Sequence, residues 1–554
     1  MAPDNPKEDN VLQAAWLLLA GVVFVIVVAI RIRLLEIPLE RDEGEYAYAG
    51  QLLLQGIPPY QLAYNMKFPG TYAVYAVIMA ILGQTIAGIH LGLLLANLAT
   101  ITLVLLLGWR LFNVQAGAAA AGAYAFFCMS PSVLGLAANA EHFVMLPVLG
   151  GTLLLLGKKC DATLQVARHQ GASCGLASQW LFASGLLFGI GLLMKQPAIF
   201  FIVFGAVYLL VSDLHLSLQW KRILLRNLIF WAGAVFPLAV TCLLLWRVGV
   251  FDKFWLWTIG YAREYGGLIP LNAAPGLLAE TASKVIKSAW PLWTIAGLGV
   301  IIGLWNRRTR RGTMFLLGLL AVSLLALSAG FYFRPHYYIF ILPAVSLFAG
   351  VAITTLSDLA ASRDSLTRFA PLMLFCAALS QPVLAARKFY FEVSPIEASR
   401  ISYRPGNPFP ESIRIAEYLR DHSDPADTIA VLGSEPQIYF YSKRHSATGH
   451  IYTYALMEPQ SYARQMQQEM IREIELARPK YLVSVEVASS WFGLRSLKSE
   501  NPILKWGNDY IRQHYDVVGL VNIVSPDHTD YYFEQMPKSV PHLGAHVWIY
   551  RRKD

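Results

Sequence analysis

Residues 41–46 read Arg-Asp-Glu-Gly-Glu-Tyr, and residues 65–70 read Asn-Met-Lys-Phe-Pro-Gly. A carboxylate such as Asp42 or Glu43 can take the proton from a hydroxyl or orient that hydroxyl for attack. A cation such as Lys67 can hold a phosphate. Three more polar groups stand at the ends of apolar runs: Asn139-Ala140-Glu141-His142, Lys195-Gln196-Pro197 and Arg334-Pro335-His336-Tyr337-Tyr338. Ionisable residues at a membrane boundary are costly and are usually functional or paired. Each also has an ordinary structural reading. Asp42, Glu43 and Glu45 could cap a helix over residues 44–55, and Glu141 would suit the first turn of a span. Lys67, Lys195 and Arg334 could be interfacial anchors. What raises them together is that they fall on one side of the membrane.

That sidedness comes from the apolar runs between them. Of 554 residues, 56% are hydrophobic and 15% charged, with mean hydropathy +0.45; an ordinary soluble domain is about 25% charged. A disordered chain is excluded, and the long apolar runs indicate a polytopic α-helical membrane protein. The net charge of +9 would suit nucleic acid, but the bases sit in short loops between apolar runs, which is how membrane topology is encoded. No nucleic-acid partner is expected. The five cysteines are too scattered for a disulfide framework: Cys128, Cys242 and Cys376 lie in apolar runs, and Cys160 and Cys174 share a polar loop.

Residues 11–30 are long enough to cross a bilayer, and too long for a secretory signal core, so they read as a retained first span. Further spans are expected at 86–109, 115–132, 143–157, 178–194, 197–212, 227–248, 289–305, 313–332, 336–356 and 367–386, eleven in all. The apolar part of 71–84 is about a dozen residues, the length of an interfacial or re-entrant helix. With a cytoplasmic N-terminus and 71–84 not spanning, the inside loops hold Arg110; Lys158, Lys159 and Arg168; Lys221, Arg222 and Arg226; Arg307, Arg308, Arg310 and Arg311; Arg363 and Arg368. Counting 71–84 as a span would move every one of them outside, against the positive-inside rule. The outer side then receives the loop 34–85, the turn 133–142, Lys195, the loop 249–288 and Arg334–Tyr338. In the loop 249–288, Phe251, Phe254, Trp255 and Trp257 read as an interfacial aromatic belt.

Carboxylates beside cations at the outer boundary suit one reaction in particular. The cations hold the phosphate of a lipid-phosphate substrate, and a carboxylate handles an acceptor hydroxyl. A lipid-linked sugar phosphate carries its own leaving group, so no nucleotide cofactor is needed. No GxxxxGK[ST] loop is present, and Gly150–Lys158 is a near-match inside a span.

On these residues the chain resembles the GT-C superfamily of membrane glycosyltransferases, specifically the protein O-mannosyltransferase and lipid A aminoarabinose transferase group. The resemblance covers about residues 11–390 and is most specific from Arg41 to Glu141. The family's acidic pair followed by tyrosine corresponds to Asp42-Glu43 with Tyr46. Its basic-proline motif opening a short helix corresponds to Lys67-Phe68-Pro69 with Tyr72 and Tyr75. A Leu-Phe-Gly-like turn corresponds to Leu111-Phe112-Asn113, a Ser-Pro span end to Ser130-Pro131, and a second outer acid to Glu141. Many relatives have proline where Phe68 stands, and several have Asp where Glu141 stands, so donor and acceptor stay open.

The resemblance implies a polyprenyl-phosphate-linked sugar as donor and transfer with inversion. Asp42 would be the base or acceptor-orienting carboxylate, with Glu43 and Glu141 supporting it by binding acceptor or a divalent ion. Lys67 and Arg334, with Lys195, would hold donor phosphate. Tyr46, His142, His336 and Tyr337 are assigned to the acceptor and substrate pocket. Metal use varies in the superfamily, and Asp42, Glu141 and His142 are the candidate ligands.

From about residue 387 the composition turns soluble. A helix is expected at 408–421, a strand at 427–433, an amphipathic helix at 460–477, and strands at 480–485, 517–524 and 545–550. Alternating strands and helices predict a small α/β domain. Gly433-Ser434-Glu435 reads as a strand-to-helix turn with a capping serine, and no catalysis is assigned to it. The domain organisation is therefore residues 1–386 as a GT-C-like transmembrane catalytic domain and 387–554 as an extracytoplasmic α/β domain. The alternative reading is a polytopic transporter or flippase, but no internal repeat is visible and the spans are nearly free of charge. The outer regions lack an N-x-[ST] acceptor, which favours a bacterial inner membrane.

Overall fold

The computed structural model describes residues 6–157, 178–360, 365–491, 501–537 and 543–553. Lys158, Lys159, Cys160, Arg168, Cys174 and Arg363 lie outside the described residues. The chain forms two compact units, each assembled from three separate stretches. One comprises residues 1–32, 93–242 and 271–390; the other comprises 33–92, 243–270 and 391–554. The second unit thus gathers the acidic loop and the soluble-looking C-terminal region.

The first six long helices are α1 (Pro6–Arg33), α2 (Arg41–Leu54), α3 (Gly70–Leu82), α4 (Ile86–Leu111), α5 (Val114–Phe127) and α6 (Ala140–Leu156). In lipid every backbone N–H and C=O must be satisfied internally, and an apolar run does so as a helix. Each of the eleven expected spans contains a helix. Among the described residues, seven helices are long and apolar enough to cross a membrane on their own: Val11–Arg33, Ile86–Leu111, Gln196–His215, Trp220–Arg247, Arg310–Leu327, Leu342–Ala360 and Thr367–Ala385. Ala274–Ser288 and Trp290–Trp305 form an eighth only as a pair bent by 103°. α5, α6 and Ser178–Met194 are shorter, at 14, 17 and 17 residues. Leu18, Leu243 and Trp246 are left exposed on helices, a surface that lipid rather than water accommodates. The protein is an integral membrane protein.

Within the first unit, small residues let helices meet backbone to backbone. A Cβ on Gly350 would lie 2.3 Å from the Ala116 carbonyl oxygen of α5, and one on Gly299 would lie 1.9 Å from the Phe348 oxygen. α5 ends before the expected 132 because the chain turns: Ser130 caps a single 3₁₀ turn, Pro131–Val133, and Leu134 takes a left-handed φ of 52°. Buried Arg31 closes that turn by donating to the Cys128 carbonyl at 3.0 Å and the Gly135 carbonyl at 3.1 Å. The turn delivers the chain to Asn139 and α6.

The second unit holds α2, α3 and a six-stranded sheet: β1 (Thr428–Leu432), β2 (His445–Ser446), β3 (Tyr481–Glu486), β4 (Tyr515–Ser525), β5 (His528–Phe533) and β6 (Ala545–Arg552). The strand order is β2-β1-β3-β6-β4-β5. β1 pairs parallel with β2 and β3, and the remaining pairs are antiparallel. The expected α/β domain is present. β1 and β3 read as near-continuous apolar runs because both of their faces are covered. The helices Phe409–Asp421, Ala463–Ala477 and Pro502–His514 complete it. Phe254 and Trp257, expected in a membrane belt, are each 2% exposed and packed in this unit against Tyr60 and Tyr64, while Trp255 is exposed. Helical periodicity sends 254 and 257 to the inward face.

Candidate active site

The acidic loop owes its shape to the way α2 begins. Glu40 is the N-cap: its carboxylate accepts from Glu43 N at 3.2 Å, and the Glu43 carboxylate accepts from Glu40 N at 3.3 Å, a reciprocal capping box. Glu43 is buried and also meets His90 Nε2 at 2.9 Å. His90 Nδ1 lies 2.7 Å from the Leu35 carbonyl, which only accepts, so Nδ1 carries a proton. Glu43, expected as a catalytic residue, is placed by these contacts in the cap and against His90.

Asp42 and Glu45 lie three residues apart on the adjoining helical face. Lys67 Nζ sits 3.0 Å from Asp42 Oδ1 and 3.5 Å from Glu45 Oε2, and 4.5 Å from the centre of the Tyr46 ring. The irregular stretch before Pro69 is tied down at Lys67: the Tyr60 hydroxyl donates to the Lys67 carbonyl at 2.7 Å. Tyr72 donates to Glu45 Oε1 at 2.7 Å, and Asn65 Nδ2 donates to Oε2 at 2.5 Å. Burial pushes the Glu45 carboxyl up to about 7, Lys67 opposing and Asp42 adding to the rise. Burial, then Asp42 and Glu43, push Glu40 up to about 8. Burial disfavours the Lys67 ammonium, but Asp42, Glu45 and Glu40 outweigh it and hold its pKa above the ordinary value. The group is therefore a buried cation with one reachable carboxylate. The Asp42 side chain is 19% exposed, that of Glu45 1%.

Sequence reasoning missed Glu45, Asn65 and Tyr72 as members of this group. The i, i+3 spacing of Asp42 and Glu45 was the available clue.

The first unit carries the second group. Glu141 stands in the first turn of α6, after Asn139, where a helix N-terminus favours an acid. Lys195, in the turn after Ser178–Met194, makes an ion pair with Glu141. Its Nζ lies 4.0 Å from the centre of the Tyr337 ring. His336 Nε2 is 3.9 Å from Glu141 Oε1, and the His336 and Tyr337 rings meet edge-on at 4.8 Å. Arg334, which opens the 3₁₀ turn Pro335–Phe340, lies over the Tyr332 ring at 5.4 Å. Glu141 Oε2, Asn139 Nδ2 and both His142 ring nitrogens are buried without a hydrogen-bond partner among the described residues. Buried polar atoms are costly when unpaired, so this cluster has donors and acceptors to offer a polar ligand group or water.

The structure thus brings together Asp42, Tyr46 and Lys67 in one group, and Glu141, Lys195, His336 and Tyr337 in another. Among the described residues no three His, Cys, Asp or Glu side chains converge as a metal-holding group. The expected ligands Asp42 and Glu141 each already face a lysine. No step is derived through a metal ion.

No protein-family model matches the chain, and no curated protein matches it. Solved structures do. ArnT from Cupriavidus metallidurans bound to undecaprenyl phosphate is 15% identical, with a TM-score of 0.58, over 95% of this chain and 99% of that one. The archaeal oligosaccharyltransferase AglB from Archaeoglobus fulgidus, in complex with an inhibitory peptide and a dolichol-phosphate, is 12% identical, with a TM-score of 0.51, over 94% and 75%. A complex of the Archaeoglobus oligosaccharyltransferase with Zn and sulfate is 13% identical, with a TM-score of 0.53, over 93% and 73%. The chain has the GT-C fold: a polytopic helical membrane region followed by a small α/β domain.

Proposed function

We propose that the protein is an inverting glycosyltransferase that moves a hexose or pentose from a polyprenyl-phosphate-linked donor to a lipid, glycan or protein acceptor of the cell envelope. The observation that carries this reading is the Asp42–Lys67 pair: a partly exposed carboxylate held 3.0 Å from a buried ammonium. Asp42 takes the proton of the acceptor hydroxyl, whose oxygen attacks the anomeric carbon. The bond from that carbon to the phosphate oxygen breaks, and polyprenyl phosphate leaves with the electron pair. Lys67 holds the donor phosphate, which draws it away from Asp42 and frees the carboxylate to act as base. Tyr46 serves substrate binding beside Lys67; in the other unit, Lys195 and Arg334 are candidate phosphate-binding cations, and Glu141, His142, His336 and Tyr337 candidate substrate-binding residues. Glu43 supports the loop through the cap. The GT-C fold supports the reaction class, and the polyprenyl phosphates bound by ArnT and AglB support the donor class.

The reaction takes place on the outer face of a bacterial inner membrane, with the N-terminus in the cytoplasm, residues 1–386 as the membrane catalytic domain and 387–554 in the periplasm. Loop charge supports this orientation. Mass spectrometry of lipids retained and consumed by the purified protein tests the whole reading. A polyprenyl-phosphate sugar kept by Asp42→Asn, and converted to polyprenyl phosphate by the wild type, is the expected result. Retention and consumption by neither protein overturns it.

A further inference from the structure

In open α/β sheets ligands bind outside the carboxyl ends of the parallel strands, where connections leave in opposite directions. Here that point lies at β1 and β3: β1 is followed by β2 on one side, and β3 lies on the other. The loops leaving them, Gly433–Pro436 after β1 and Val487–Trp491 after β3, form the crevice. It already has an occupant from the same unit. Arg41 Nε donates to the Ser434 carbonyl at 2.9 Å, and Nη1 to Asn407 Oδ1 at 3.0 Å. Nη2 donates to Glu435 Oε1 at 2.8 Å and to Ser489 Oγ at 3.2 Å. Glu435 is fully buried, and its other oxygen accepts from Ser490 Oγ at 2.6 Å. The guanidinium lies over the Phe409 ring at 5.1 Å. Nearby, the Tyr441 hydroxyl accepts from Leu39 N at 2.9 Å, and a Cβ on Gly44 would lie 2.6 Å from Gln437 N. The chain is thus gripped on both sides of Asp42, and most tightly at the residue before it.

We propose that this crevice is a built-in guanidinium receptor for Arg41, through which the C-terminal α/β domain sets the position of the Asp42 carboxylate, with Glu435 as the positioning residue. This rests on the reading of Asp42 as the base. It gives Gly433-Ser434-Glu435 a role the sequence did not suggest. Glu435 itself touches no reacting atom. A carboxylate displaced by about an ångström loses on the order of 100-fold in rate, whereas substrate affinity carried by other residues is unaffected.

The test uses the full chain in detergent, with bacterial undecaprenyl-phosphate sugars as substrate and undecaprenyl phosphate as binding probe. Glu435→Gln should lower kcat for release of undecaprenyl phosphate by at least about 10-fold, leave its affinity for the probe within about 2-fold, and speed carbodiimide labelling of Asp42. Glu435→Asp should recover part of the rate. Where Glu435→Gln does not fold, Asn407→Ala removes one acceptor without leaving a charge unpaired, and should move the same readouts less far. An unchanged rate together with unchanged Asp42 labelling in a folded variant overturns the proposal and leaves the transferase reading intact. Wild type that turns nothing over, with Asp42 labelling still altered in the variant, removes the transferase reading while the clamp stands.

Discussion

Asp42 and Glu45 share the Lys67 ammonium, at 3.0 and 3.5 Å, from opposite sides of the solvent boundary. The buried partner, anchored by Tyr72 and Asn65, fixes the lysine. The reachable partner is left to meet substrate. An acidic pair adjacent in sequence, Asp42-Glu43, is thus replaced in space by a pair three residues apart.

Replacing Asp42 by Asn removes the charge and almost no volume. Transfer should fall by about 10²- to 10⁴-fold, the range for loss of a general base, with the fold retained and the lipid donor still bound. Turnover by the purified variant checks this; full activity would remove Asp42 from the mechanism.

Lys67→Ala leaves two carboxylates facing each other in a buried site. Breaking a buried ion pair costs about 3–5 kcal/mol. Adding Glu45→Gln should restore part of that loss, because no uncompensated inner charge is left, but should not restore donor affinity. Unfolding midpoints and undecaprenyl phosphate binding of the single and double variants separate the two effects. Losses that simply add would contradict the shared-cation arrangement.

The raised Glu45 carboxyl makes stability depend on pH. Between its ordinary 4.5 and about 7, the folded protein keeps a proton that the unfolded chain has released. That contribution is fully present below pH 4.5 and is lost as pH rises through about 7, with Glu40 extending the fall to about 8. Glu469 acts oppositely: the His450 hydrogen bond, aided by Lys253, holds it down at about 2, so its contribution fades only as pH falls below 4.5. Stability against thermal unfolding should therefore fall between about pH 5 and pH 8. The slope should be shallower in Glu45→Gln. Equal slopes in the two proteins would remove Glu45 as the source.

Gly44→Ala puts a methyl group 2.6 Å from a backbone nitrogen, which cannot swing aside. Overpacking of this kind costs about 1–3 kcal/mol. α2 must then shift away from the Gln437–Ser442 helix. Both the melting temperature and kcat should drop, and a variant with wild-type values of both would show that this contact is slack.

The membrane helices and the α/β domain were legible because each is written locally. Apolar runs give helices, and the β1 and β3 runs bounded by turns give strands. The site was legible only in part. Asp42, Lys67, Glu141 and Lys195 stood out as charges between apolar runs. That Glu43 would turn to His90, 47 residues away, and Arg41 to Glu435, 394 away, is not encoded in any window of sequence. The same holds for the two-residue strand β2, which exists only because β1 lies beside it. Trp257 was misplaced for a related reason: an aromatic residue near the interface looks the same whether it faces lipid or a neighbouring helix.

The three-piece construction of the second unit has a consequence in time. A ribosome making about 5–20 residues per second needs about 20–80 s to travel the 394 residues from Arg41 to Glu435. Throughout that interval the nascent loop exists without the crevice that receives its guanidinium. Early helices are committed to the bilayer long before the unit that carries Asp42 can close. Maturation is therefore set by the last stretch synthesised, and a message truncated before residue 435 yields a chain whose acidic loop has nothing to dock on.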